Sequence, residues 1–370
     1  MCLVNTVESS LCPTMGVEKT FSSSVASCFR YINVTKSVDN QKPITSLWFS
    51  TIFSIIGLSS NLFAFCVLIS TSRKTHSRSR SSFLIFLGGL VVTDFMGLLV
   101  TGIIVMFYHI TQFDWKILDQ NCYLCNFFGL SMVFYGQCPL LLGASMATER
   151  FFGITKPFSR SANISKKRAY LIVVFVWFFA FFLALFPVMG IGSYTLQYPK
   201  SWCFLTLLQD PKNRAFGLIF SLVGIFSVCL SFILNTVSVV TLCKVCHDRE
   251  SVQRRRNSEV EMMVQLVGIM IIASICWFPL LIFIVQTVLQ QHKNELMEKE
   301  IPRNTEKLLL IFLRVATWNQ ILDPWVYILF RRAVLKRIYP SLNSRPSVVS
   351  LYPTLTISLR RNCRCESINN

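Results

Sequence analysis

The residues in this 370-residue sequence best placed to do chemistry are charges set inside long apolar runs. Asp94, Arg314 and Asp323 each interrupt such a run, and Glu149 and Arg150 close another. A charge at the centre of a spanning helix costs about 2.5–3.5 kcal/mol on insertion scales, so each needs a reason. Glu149 and Arg150 lie near a run's end, where a long side chain reaches the interface cheaply. Arg314 lies about nine residues into its run, roughly 13 Å deep at 1.5 Å per residue. A guanidinium keeps its charge there and offers a planar fork of donors. An anion arriving from outside would complement it, and a carboxylate matches the fork. The alternative is a structural bridge from Arg314 to backbone carbonyls.

Cysteines form the second group. Cys122 and Cys125 are three residues apart at the start of an apolar run, which puts them on one helix face. A C-x-x-C pair alone suggests zinc or redox work, but the chain has only four histidines and no second ligand pair on the same side. Structural disulfides fit better in an oxidising compartment. Cys203 and Cys28 lie on that side too. A bridge to Cys203 would tie a loop over the bundle, and one to Cys28 would hold the N-terminal segment. Spacing leaves the pairing open.

These residues need a scaffold, and the composition says which kind. The chain is 53% hydrophobic and 15% charged, whereas soluble domains carry about 25% charged residues. Its net charge of +18 sits in short clusters between apolar runs, as in a membrane protein oriented by Lys and Arg rather than one that binds nucleic acid. Seven runs reach the roughly 20 residues a spanning helix needs: 47–71, 82–108, 122–154, 169–190, 215–243, 260–290 and 305–330. The third and seventh are the least apolar because they hold charges. With the N-terminus outside, the three inner loops hold fourteen basic residues and the outer loops seven. Residues 1–46 are polar, with no cleavable signal, so the first run acts as an uncleaved anchor. Expected organisation is an extracellular segment over 1–46, a bundle over 47–330, a basic amphipathic membrane-surface helix over 331–340 and a Ser-, Thr- and Arg-rich disordered tail over 341–370. Cys363 and Cys365 in that tail are candidates for lipidation or free thiols. Pro139, Pro187, Pro279 and Pro324 punctuate the spans, where each frees a carbonyl and permits a kink.

Five segments together resemble the rhodopsin-like G-protein-coupled receptors. They are Gly57-Leu58-Ser59-Ser60-Asn61, Asp94, Glu149-Arg150-Phe151, Cys276-Trp277-Phe278-Pro279 and Asp323-Pro324-Trp325-Val326-Tyr327. Gln197-Tyr198-Pro199-Lys200-Ser201-Trp202-Cys203-Phe204, and Leu313-Arg314-Val315-Ala316-Thr317-Trp318 running on to Asp323-Pro324, are similar to the prostanoid receptor family. The resemblance covers about residues 28–340. It implies an all-α membrane protein: a seven-transmembrane helix bundle with a short amphipathic eighth helix, no enzymatic activity and no cofactor.

The family resemblance also implies roles for individual residues. Arg314 would bind the carboxylate of a prostanoid, with His109 and Thr206 helping to hold it and Thr101, Ser201 and Trp202 lining the pocket. His109 as a merely interfacial residue and Trp202 as loop packing are the plainer alternatives. Disulfides Cys125–Cys203 and Cys28–Cys122 are implied, as is a lid formed by the second outer loop. Glu149, with Glu259, would hold Arg150 at rest. Trp277 beside Pro279 would relay the change, with Asp94, Asp323, Pro324 and Tyr327 as further switch positions. Pro157 and Phe158 would touch a heterotrimeric G protein, of Gq type in this family, which acts through calcium. Arrestin and receptor kinases are implied partners of the tail. Three positions depart from the general receptor pattern: Phe151 for Tyr, Asp323 for Asn, and Pro139 where a hydroxyl is common. Two crowded carboxylates at Asp94 and Asp323 favour sharing a proton, which argues against a sodium site, so no metal is expected.

A transporter is the alternative from another class, but no internal repeat is visible and inverted repeats mark many transporters. No nucleophile–base pair sits at catalytic spacing for an intramembrane enzyme. Asn33-Val34-Thr35 is an external glycosylation acceptor, whereas Asn163-Ile164-Ser165 falls inside. Asn33→Gln should therefore abolish the gel shift produced by peptide N-glycosidase, and Asn163→Gln should leave it unchanged; a glycan on Asn163 would overturn the topology.

Overall fold

The computed structural model describes residues 28–29, 47–74, 78–155, 165–207, 210–248, 253–295 and 304–329. Asn33, Asn163, Pro157, Phe158, the expected helix over 331–340 and the tail lie outside them, as does the side chain of Glu259. The described elements are α1 (Leu47–Lys74), α2 (Arg78–Thr111), α3 (Trp115–Leu118), α4 (Tyr123–Thr155), α5 (Lys166–Leu185), β1 (Tyr194–Gln197), β2 (Trp202–Leu205), α6 (Pro211–Asp248), α7 (Gln253–Glu295) and α8 (Asn304–Leu329).

A helix closes its backbone hydrogen bonds within one segment, which is what an apolar solvent demands. Among the described residues, six helices (α1, α2, α4, α5, α6 and α7) are long and apolar enough to cross a membrane, and α4 is the least apolar of them. The seventh expected span, α8, has 26 residues, about 39 Å at 1.5 Å per residue. It has the length but is diluted by Arg314, Asn319, Gln320 and Asp323.

Helix ends differ from hydropathy in two ways. α6 and α7 run past the expected boundaries, reaching Asp248 and starting at Gln253, because a helix continues into water where its residues turn polar while hydropathy reports only the apolar window. The fourth span is shorter than expected. α5 stops at Leu185 and Phe186 is its C-cap, so Pro187 lies in the turn beyond and ends the helix rather than kinking it. Pro139, Pro279 and Pro324 do lie inside α4, α7 and α8.

α4 is the central element, touching α2, α5, α6, α7 and both strands. Its N-terminus is capped from outside the helix. The Asp119 carboxylate, 5% exposed, accepts from Leu124 N at 3.0 Å and Cys125 N at 2.8 Å. Packing divides into two clusters. One gathers the hairpin, α3 and parts of α4, α6, α7 and α8 around Trp202, Phe204, Trp277 and Leu313. The other gathers α1, α2, α5 and the remaining parts of α4, α7 and α8 around Phe83, Met146, Met262 and Tyr327. Ile272 packs against both.

Candidate functional site

The loop expected as a lid is an antiparallel hairpin, with Thr195 opposite Phe204 and Leu196 opposite Cys203. Strand alternation puts Ser193, Thr195 and Gln197 on one face with Trp202, Phe204 and Thr206. Tyr194, Leu196, Cys203 and Leu205 take the other. The second face is fastened to the bundle three ways. Cys125 and Cys203 form a disulfide, while a separate one, Cys28–Cys122, ties the N-terminal segment to the residue before α4. A Cβ on Gly129 would come within 2.4 Å of the Tyr194 ring, so the ring lies directly on the α4 backbone. The Tyr194 hydroxyl donates to Ala184 O at 2.8 Å, and burial pushes its phenol pKa up, keeping it a neutral donor.

The candidate ligand residues are spread over α2, the hairpin and α8. Arg314 is half-buried on α8 beside Leu313, whose side chain belongs to the cluster capped by Trp202 and Phe204. The Trp202 indole donates to Tyr198 O at 2.9 Å, so the loop fixes its orientation as well as burying it. Ser201 is buried in the turn between the strands. Thr101 donates to Gly97 O at 2.7 Å and is half-buried on α2. His109, near the C-terminal end of α2, stands edge-on to Tyr108, which packs against the same cluster. Its Nε2 is buried and has no hydrogen-bond partner among the described residues. Thr206 is 2% exposed, its Oγ1 3.0 Å from both Thr195 Oγ1 and Ser193 Oγ. A guanidinium, an imidazole and hydroxyls around an apolar cluster suit a ligand with an acidic head and a hydrocarbon body.

At the other end, Arg150 is 2% exposed and Glu149 3%. The guanidinium donates twice to Glu149 and also to Met262 Sδ at 3.6 Å, and lies 5.8 Å from the Phe83 ring centre. Ser82 Oγ donates to Glu149 Oε1 at 2.7 Å. Of the two nearby acids on α7, the described one, Glu261, pairs instead with Arg80 at 3.5 Å. Met262, Ser82, Arg80 and Glu261 are contacts that motif spacing did not single out.

Between the two ends lies a polar layer. Asp94 is fully buried and within electrostatic reach of Asp323. Asn319 Nδ2 donates to Asp323 Oδ2 at 2.9 Å, and Asn61 Nδ2 donates to Gln320 O at 2.9 Å, tying α1 to α8. A cavity of about 20 Å³ touches Pro139, Ser231, Asn235, Asn319 and Asp323, room for about one water. No group of three metal-ligating side chains occurs among the described residues. Above the layer, a Cβ on Gly136 would come within 2.8 Å of the Trp277 ring.

The profile described as 7 transmembrane receptor (rhodopsin family) matches residues 60–327, and the chain belongs to that family. It is a multi-pass membrane receptor and not an enzyme. It is 57% identical over 336 residues to the thromboxane A2 receptor of Bos taurus and 56% over 335 to that of Homo sapiens, in each case across 90% of this chain and 97% of the relative. Identity to the prostaglandin F2-alpha receptor of Homo sapiens is 38% over 310 residues, 83% of each chain. Squid rhodopsin superposes with a TM-score of 0.64 at 18% identity, covering 89% of this chain and 96% of that one, which shows the shared fold.

The close approach of Gly136 to Trp277 gives a direct test of packing. Gly136→Val should displace the indole and overpack the site by about 1–3 kcal/mol. The expected outcome is a melting midpoint several degrees lower for the purified receptor, together with altered basal signalling; an unchanged midpoint would contradict the contact.

Proposed function

We propose that this chain is a plasma-membrane receptor for a prostanoid acid, thromboxane A2, with its N-terminus extracellular and C-terminus cytoplasmic. Ligand binding activates a Gq-type heterotrimeric G protein and raises cytosolic calcium. The observation that carries the ligand class is a guanidinium, Arg314, half-buried about ten residues inside α8 beside the cluster that the lid covers. The identity of 54–57% to several thromboxane A2 receptors, against 36–38% to prostaglandin F2-alpha receptors, supports thromboxane A2 over other prostanoids.

Mechanistically, the carboxylate pairs with the Arg314 fork, His109 and Thr206 add donors, and the hydrocarbon body packs against Thr101, Ser201 and Trp202. Binding shifts a pre-existing equilibrium between two packings of the bundle. Trp277 repacks beside the Pro279 kink, the polar layer at Asp94, Asp323 and Pro324 rearranges around Tyr327, and Arg150 leaves Glu149. The G protein then enters the opened cleft, contacting Pro157 and Phe158. Glu259 contributes to the resting hold on Arg150, and phosphorylation of the tail recruits arrestin.

Charge-assisted hydrogen bonds contribute about 1.5–3 kcal/mol each. Arg314→Ala, matched for surface expression, should therefore weaken carboxylate ligands by about 10- to 100-fold. Calcium release across a prostanoid panel should rank the stable thromboxane analogue first. Unchanged affinity would remove the anion clamp, and a different top agonist would reassign the ligand within the class.

A further inference from the structure

The hydroxyl of Thr206 does not stand alone, and its neighbours define a direction for its proton. The Gln197 side-chain nitrogen lies 3.2 Å from Thr195 O and 3.4 Å from Leu205 O. Carbonyl oxygens only accept, so this end of the amide is its NH2 group. The same nitrogen is 3.0 Å from Thr195 Oγ1 and donates to it. Thr195 Oγ1 is 3.0 Å from Thr206 Oγ1, a hydroxyl pair whose direction is set from its other end. Asn213 Oδ1, on the first turn of α6 and 3.0 Å from Ser193 Oγ, only accepts, so it takes the one Ser193 proton; Ser193 Oγ, 3.0 Å from Thr206 Oγ1, then accepts from Thr206, and Thr206 from Thr195. Thr195, Thr206 and Asn213 are 4%, 2% and 6% exposed, so water competes little for these bonds.

We infer that Gln197, Thr195, Ser193 and Asn213 are positioning residues that set the proton direction at Thr206 for the acid group of the ligand. Each hydroxyl gives one proton, and the chain runs Gln197 to Thr195 to Thr206 to Ser193 to Asn213. A carboxylate is a stronger acceptor than the Ser193 hydroxyl. When the acid arrives, Thr206 turns its proton from Ser193 to the carboxylate while still accepting from Thr195, whose donation polarises it. Ser193 stays on Asn213. Acid capture thus removes one link between β2 and α6, so the head group is felt at the start of a long helix that packs against α4 and α7.

This inference rests on the proposed contact between Thr206 and the carboxylate, and the two are separable by experiment. A radiolabelled prostanoid acid is displaced from full-length receptor in membranes by the unlabelled acid or its methyl ester. The ester fills the same pocket without the charged acceptor, so the acid-to-ester affinity ratio reports the head group apart from folding. Thr206→Val should lower the ratio about tenfold. Thr195→Val removes the donor behind Thr206 and should lower it about threefold or more. Ser193→Ala removes the competing acceptor and should raise it about threefold. An unchanged ratio in Thr206→Val would overturn the contact and the relay together. A drop in Thr206→Val, with the Thr195 and Ser193 variants unchanged or moving the same way, would overturn the relay alone.

Discussion

Charge inside an apolar bundle is the constraint on which this structure turns. Lipid offers no hydrogen bonds, so every polar group within the spans must find its partner in the protein or in a ligand. Glu149 and Arg150 satisfy each other, with Ser82 and Met262 completing the set. Asp323 takes a hydrogen bond from Asn319, and Asp94 lies beside it. Arg314 is half-buried on α8 beside Leu313 of the cluster that holds Trp202 and Phe204. The polar residues therefore fall into three groups spaced along one bundle: Arg314, the layer of Asp94 and Asp323, and the Glu149–Arg150 pair.

The helices between these groups are interrupted by proline. Three carry an internal proline, and the two apolar clusters above and below the middle layer share Ile272 on α7. Trp277 belongs to the outer cluster, directly over the Gly136 backbone, and Tyr327 to the inner one. The small cavity beside Asn319 and Asp323 is lined by residues of both clusters, Leu140 and Val228 of one and Leu266 and Ile269 of the other. The lid is by contrast fixed, with a disulfide and Tyr194 pinning it to α4 and α5.

Much of this was legible in the residues themselves. Six spans follow from apolar length alone, and α8 was legible through its length and motif despite Arg314, Asn319 and Asp323. Pro187 shows the limit of a proline rule: the same residue kinks a helix or ends it according to whether the chain beyond it stays helical. The hairpin was expected only as a lid loop, because four-residue strands give too short an alternation to stand out. Tyr-Thr-Leu-Gln and Trp-Cys-Phe-Leu flanking Tyr-Pro-Lys-Ser does carry a hairpin pattern. The relay through Ser193, Thr195 and Asn213 has no sequence signal, since it joins a strand to a helix through hydroxyls that any loop contains. Arg80 and Glu261 were likewise invisible: which acid on α7 meets a given cation depends on helix phase, not on proximity in sequence.

The account stands or falls on where the acid group goes. A structure of the full-length receptor in lipid, bound to a stable thromboxane analogue with a free carboxylate, tests this most directly. The account predicts the carboxylate within about 3 Å of the Arg314 guanidinium nitrogens, beneath the hairpin and within reach of Thr206. A carboxylate directed to the outer surface or to the lipid, with Arg314 bonded only to backbone carbonyls, would contradict it.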